Sequence, residues 1–149
     1  YFVDNSQAVA LTDDGFIVYS GKDRPKESDR KTFEEEIISA FHDGKSVGYV
    51  FRNDPEKEEK PYRIELYNLS GRQTSETSVD CDYDRIRMQN GQILLFNDHS
   101  ITAVTAAGHE RFHSEYNKTV NEVFYFKEYR KYLVITSDSF DKIRIEAKQ

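Results

Sequence analysis

Tryptophan is missing from this 149-residue sequence, and cysteine and methionine occur once each. A lone thiol, Cys81, can close no internal disulfide and has no partner at metal-ligand spacing, so cysteine chemistry does not organise the chain. Without Trp, repeats that lock together by tryptophan docking are excluded, and the WD dipeptide signature is absent too. No apolar run approaches the roughly 18 to 20 residues of a membrane helix. The first residues, YFVDNSQ, lack the basic and apolar regions of a secretory signal, so any targeting segment is expected outside this stretch. Positive charge is in deficit, 21 Lys and Arg against 27 Asp and Glu for a net charge of −6. Such a surface repels a phosphate backbone, and nucleic acid is excluded as a partner. A glycine-rich phosphate loop and G-x-S-x-G are also missing.

What is present is aromatic and β-branched. Ten Tyr and ten Phe supply the apolar bulk of one folded unit; a chain this long buries about two thirds of its unfolded surface. Nearly every apolar segment is short and bounded by Gly, Asn, Asp or Pro, the pattern of strands joined by turns. One stretch, KTFEEEIISAFH (31–42), also carries helical spacing at Phe33, Ile37, Ile38 and Phe41.

Four segments decide that ambiguity in favour of strands: QAVALTDDGFIVYSG from 7, KSVGYVFRNDPEKEEKPYRIELYNLSG from 45, GQILLFNDHSITAVTAAG from 91 and KYLVITSDSFDKIRIE from 131. Each is a strand, an Asp-bearing turn and a second, alternating strand. They recur about every 38 to 39 residues once the acidic insertion DPEKEEK is discounted. An apolar stretch precedes each pair (YFV, IISAF, DRIRM, EVFYF), and a polar strand follows the first three (ESDRKTF, QTSETSV, HERFHSEY). Four strands per repeat of about 40 residues is a propeller blade. The expected fold is therefore all-β and β-propeller-like, with about four antiparallel four-stranded blades over 1–36, 37–83, 84–120 and 121–149. The last blade is incomplete and the whole is expected to be a piece of a larger propeller, whose open blade faces could pair with a second copy. The competing architecture is an up-and-down β-sandwich without internal symmetry.

The pairing of YRIELYNLSGRQTSE with GQILLFNDHSITAVTAAGHERF, closed by YLVITSDSFDKIRIE, resembles the C-terminal half of an uncharacterised family of propeller-like proteins from Gram-positive bacteria, a domain of unknown function. More loosely it resembles PQQ- and WD-type propeller repeats. The resemblance implies an N-terminal membrane anchor ahead of the propeller and a location on the extracytoplasmic face of the membrane or cell envelope. It implies no activity and no cofactor.

Three motifs hint at chemistry. HERFH (109–113) fits the zinc-protease motif H-E-x-x-H, which requires a helix to bring both imidazoles to one ion. On the outer strand expected here, His109 and His113 would lie about 13 Å apart, with Phe112 and Tyr116 turned inward. Asp80, Asp82 and Asp84 have the alternate spacing that opens a calcium loop, but the sixth and twelfth places hold Arg85 and Gly91 instead of Gly and Glu. Asp98, His99 and Ser100 are neighbours, whereas triads converge from separate elements; a turn closed by Asp98 is expected instead. The sequons at Asn68 and Asn117 matter only in a glycosylating host. No catalytic, cofactor or metal residue is assigned.

A charge asymmetry remains. In the propeller register, loops after the second and fourth strands share one rim, which collects Asp13, Asp14, Glu34, Glu35, Glu36, Asp54, Glu56, Glu58, Glu59, Asp80, Asp82, Asp84, Asp98 and Asp138 against Lys57, Lys60 and Lys118. The opposite rim holds Lys22, Arg24, Lys26, Lys45, Arg72, Lys127, Arg130 and Lys131. Asp13, Asp14, Asp54, Glu56, Glu58, Glu59, Asp82, Asp98 and Asp138 form the candidate interaction rim. The leading expectation is a non-enzymatic interaction or sensor module offering that rim to a cationic protein or ligand outside the cytoplasm. An enzyme with a central-channel site completed by further blades and a structural envelope spacer are the alternatives.

Overall fold

The structure, a computed structural model, describes the backbone of residues 1–144 and the side chains of residues 1–140. The chain divides into two compact units, Tyr1–Asp80 and Cys81 onward. In the first, β1 (Gln7–Thr12), β2 (Gly15–Ser20) and β3 (Lys26–Thr32) form one antiparallel sheet; β4 (Ile37–His42), β5 (Ser46–Arg52), β6 (Tyr62–Asn68) and β7 (Gln73–Val79) form another. In the second unit, β8 (Arg85–Gln89), β9 (Gln92–Phe96), β10 (Ser100–Thr105) and β11 (Glu110–Glu115) form a four-stranded sheet, and β12 (Val120–Phe126), β13 (Lys131–Thr136) and β14 (Phe140–Arg144) a three-stranded one. Strands in each sheet follow chain order, so every connection within a sheet is a hairpin among the described residues. The YFV stretch runs beside β1 through the Phe2–Ala8 bridge and reciprocal backbone bonds between Tyr1 and Val9. The end of the blade expected over 121–149 lies outside the described residues. Among the described residues no helix is long and apolar enough to cross a membrane.

The ambiguous segment 31–42 is extended: β3 ends at Thr32 and β4 starts at Ile37. Its helical spacing comes from Phe33 in the connection, whose ring lies 4.8 Å from Tyr49, 5.1 Å from Phe51 and 5.2 Å from Tyr67. Around it, Val9, Phe16 and Val18 of the first sheet pack on Val47, Tyr49, Phe51 and Tyr67 of the second. Burying each of these large side chains stabilises the unit by about 1.5 to 3 kcal/mol.

The other face of the β4–β7 sheet is buried too, through Val50, Ile64 and Leu66. There the Phe41 ring lies on the backbone of Gly48, its cross-strand partner. In the second unit Leu94, Phe96, Ile101 and Ala103 pack against Val123, Tyr125, Tyr132 and Val134, with Phe112 and Tyr116 at the margin. Ile93, Leu95 and Val104 bury the opposite face of that sheet. Central strands with both faces covered must be apolar at consecutive positions, hence the runs VGYVF and ILLF.

Inner strand β8 departs from this rule, because its alternate residues are polar and reach across to β12, the edge of the next sheet. Arg85 donates to the carbonyls of Val120 and Asn121, and Arg87 to that of Val123 and to Glu122. Gln89 accepts from the Tyr125 amide, while the Asn90 side chain donates to the Tyr125 carbonyl. An edge strand leaves a row of backbone groups unsatisfied. Side chains of β8 and its turn satisfy them here.

Candidate functional site: an acidic loop end with an arginine hub

Strand alternation on β6 places Arg63, Glu65 and Tyr67 on one face, beside Phe51 and Tyr49 of β5. Arg63 is the hub. Its Nη2 donates to both Glu35 carboxylate oxygens at 2.9 Å, its Nε to Glu65 at 2.6 Å and its Nη1 to Asn53 at 3.3 Å, while the guanidinium stacks 5.1 Å from the Phe51 ring. Glu65 is only 8% exposed, and its second oxygen accepts from the Tyr67 hydroxyl. Desolvation works against the guanidinium's charge, but Glu35 and Glu65 hold its pKa above the ordinary arginine value. For Tyr67, burial and then the Glu65 carboxylate push the phenol up.

The acidic insertion closes over this hub. Asn53 donates from its backbone to Pro61 and from its side chain to the Lys60 carbonyl and the Ser78 hydroxyl. Asp54 caps the turn by accepting from the Glu56 amide and pairs with Lys57 at 3.0 Å; both contacts lower its carboxyl pKa. Between loop and strands lies an open cleft of about 670 Å³, walled by Glu35, Asp54, Glu58, Glu65 and Glu76 with Arg52, Lys57 and Arg63.

The remaining rim residues sort by unit. Asp14 joins this end of the first unit, since its carbonyl accepts from the Phe33 amide beside Glu35; Asp13 is its exposed neighbour. In the second unit, Asp98 binds Arg85 at 2.8 Å and its carbonyl accepts from the Val120 amide, while Asp138 pairs with Lys118 at 3.2 Å. Asp82 accepts through its carbonyl from the Asn97 side chain, which brings it to the same turn. Backbone hydrogen bonds thus link the Asp14 turn to the connection at Phe33 in the first unit, and the Asp98 turn to Val120 in the second. Sequence reasoning left out the arginines. Arg63 and Arg85 sit at the ends of strands, where a loop-by-loop tally does not count them, yet they neutralise Glu35, Glu65, Asp84 and Asp98.

The motifs resolve as follows. Residues 110–115 are strand β11, and His113 bonds the buried Thr102 hydroxyl through Nδ1 at 2.8 Å, while Phe112 and Tyr116 pack inward. The turn at 97–100 corrects an expectation: Asn97, not Asp98, closes it. The Asn97 side chain accepts from the His99 and Ser100 amides and the Ser100 hydroxyl, leaving Asp98 to Arg85. An Asn or Asp side-chain oxygen two residues ahead of the backbone amide it accepts from forms an Asx-turn, the geometry also made at Asp43 and Asn68. Among the described residues no group of three or more His, Cys, Asp or Glu side chains is placed to hold a metal ion.

The profile of DUF5711, a family of unknown function, matches residues 1–145. The chain is a member of the DUF5711 family. No curated protein matches this DUF5711 chain. Among solved structures it is similar to BBS1N in complex with ARL6DN, in a mercury-soaked crystal (TM-score 0.52, 12% identity, covering 94% of this chain and 50% of that one) and a lead-soaked crystal (TM-score 0.51, 13% identity, 96% and 51%). A protein of unknown function from Bacteroides caccae matches with a TM-score of 0.41 at 13% identity, over 97% of this chain and 71% of that one. The DUF5711 chain spans about half the length of the BBS1N chain it matches. At such identity the likeness shows the fold alone, which is β-propeller-like.

Proposed function

We propose that this DUF5711 chain is a non-enzymatic interaction module that offers the acidic loop end of its blade sheets to a cationic protein surface or ligand. The supporting observation is the cleft over Arg63. Its inner carboxylates are committed to Arg63 and Tyr67, which makes the wall rigid, while Glu56, Glu58 and Glu59 on the overlying loop have no cationic partner among the described residues. A rigid sheet end carrying a charged, solvated loop is the arrangement in which loops take on recognition. The similar BBS1N structure is itself a complex with another protein, ARL6DN. Presentation on the extracytoplasmic side of a bacterial membrane, in a binding or sensing role, belongs to the same proposal and rests on the family resemblance of the sequence.

Titration of the chain with a lysine-rich peptide at low and high salt tests the reading. Reversing Glu56, Glu58 and Glu59 to Lys should weaken binding at least about tenfold, or about 1.4 kcal/mol, and flatten its salt dependence. Equal affinity of wild type and triple variant would remove the acidic loop from the function.

A further inference from the structure

We propose that the Asn90–Gly91 turn is a site of spontaneous covalent modification in the folded protein, and that its conversion loosens the Tyr125 end of the edge strand β12 from the β8–β9 hairpin. Asn90–Gly91 is the single Asn-Gly pair of the sequence. It forms the two-residue turn between β8 and β9, with both residues at positive φ, 51° and 74°, as the type I′ hairpin requires. Asn90 is exposed, and a Cβ added at Gly91 would meet no atom within 4 Å. The space on the side-chain side of Gly91 is therefore open, and a groove of about 320 Å³ beside Asn90 admits water.

The chemistry needs only the chain and water. The Gly91 backbone nitrogen attacks the side-chain amide carbon of Asn90; the new C–N bond forms as ammonia leaves with the displaced proton, closing a five-membered succinimide. Water then adds to one of the two ring carbonyls and the ring opens to aspartate or isoaspartate. Water is taken up and ammonia lost, with no change of oxidation state. Glycine at the following position matters because a side chain there would crowd the attacking nitrogen.

Two structural consequences follow. The Asn90 amide donates to the Tyr125 carbonyl at 3.2 Å, tying the hairpin to the β12 edge of the β12–β14 sheet. A carboxylate has no proton to donate and sets a negative oxygen against that carbonyl, so attraction turns into repulsion. The isoaspartate product also inserts a methylene into the backbone, which a two-residue turn cannot absorb while keeping Gln89 paired with Gln92. The neighbouring Gln89–Tyr125 bond depends on that register.

Purified chain held in mildly alkaline buffer, followed by peptide mass mapping and amide exchange, tests the proposal. Residue 90 should gain about 1 Da as a mixture of aspartate and isoaspartate, and the Tyr125 amide should exchange several-fold faster in the converted fraction. Asn90→Asp should reproduce the faster exchange without incubation. Asn90→Gly, which accepts the same left-handed backbone but has no amide, should show no mass change there. If Asn90 stays intact while the urea-unfolded chain converts, or if conversion leaves Tyr125 exchange unchanged, the proposal is wrong.

Discussion

Replacing Gly48 by Ala isolates one packing contact with a sign that distinguishes two explanations. In a strand interior, glycine costs about 0.5 to 1 kcal/mol relative to alanine through its excess backbone freedom, so the substitution at an open position stabilises. Gly48 is not open. An added Cβ would lie 2.1, 2.3 and 2.7 Å from three ring atoms of Phe41, itself 5% exposed and unable to swing out without losing its burial. Forcing such an overlap costs about 1 to 3 kcal/mol. With the ring displaced from its own site, the net effect of Gly48→Ala is expected near 2 kcal/mol of destabilisation. Phe41→Ala alone should cost about 3 to 5 kcal/mol. In that background, however, the glycine substitution should recover its favourable sign, giving a coupling of about 2 to 3 kcal/mol between the two sites. Urea titrations followed by far-UV circular dichroism and tyrosine fluorescence on the four members of the cycle measure it. Stabilisation by Gly48→Ala in the wild-type background, or additive behaviour of the pair, would refute the claim that this glycine is there to seat the ring.

Three further outcomes follow from individual groups. The Tyr49 hydroxyl is buried without a hydrogen-bond partner among the described residues, so Tyr49→Phe should raise stability by about 1 kcal/mol, and a lowered urea midpoint would contradict this. Burial, and then its neighbour Tyr125, push the Tyr132 phenol up to about 12. Because the unfolded phenol ionises near pH 10, the native state holds its proton more tightly. Stability should be fully present below about pH 10 and fall between about 10 and 12, with a limiting slope of about 1.4 kcal/mol per pH unit for this group. Tyr132→Phe should make the urea midpoint less steep over that window. Arg85→Met removes the donor to Val120 and Asn121, which should cost about 1 to 3 kcal/mol and speed amide exchange along β12 while sparing Tyr1–Asp80; equal acceleration in both units would overturn the edge-capping role.

Much of the architecture is legible in the one-dimensional pattern because a blade sheet leaves a strong local trace. Central strands covered on both faces read as unbroken apolar runs, outer strands such as ESDRKT and ERFHSE read as polar, and the turns between them are written in Asp, Asn and Gly. The segment 31–42 shows how the repeat corrects a local signal, since Phe33 occupies a helical position only by serving as a plug between two sheets. Asn97 shows the limit at turns. Asn and Asp both form Asx-turns, so the pair at 97–98 does not reveal which closes the loop until Arg85 takes the other.

The charge pattern divides in the same way. Where the acids fall relative to the turns is a property of the chain order, and the loop end at which they gather follows from alternating strands. Which of them stay free is a tertiary outcome. Arg63 and Glu35 are 28 residues apart, and Arg85 reaches β12 over 35, distances across which no periodicity in the sequence carries information. Local propensity and burial period are short-ranged and survive in any window of the sequence. A hydrogen bond between two side chains exists only after packing has brought their strands together.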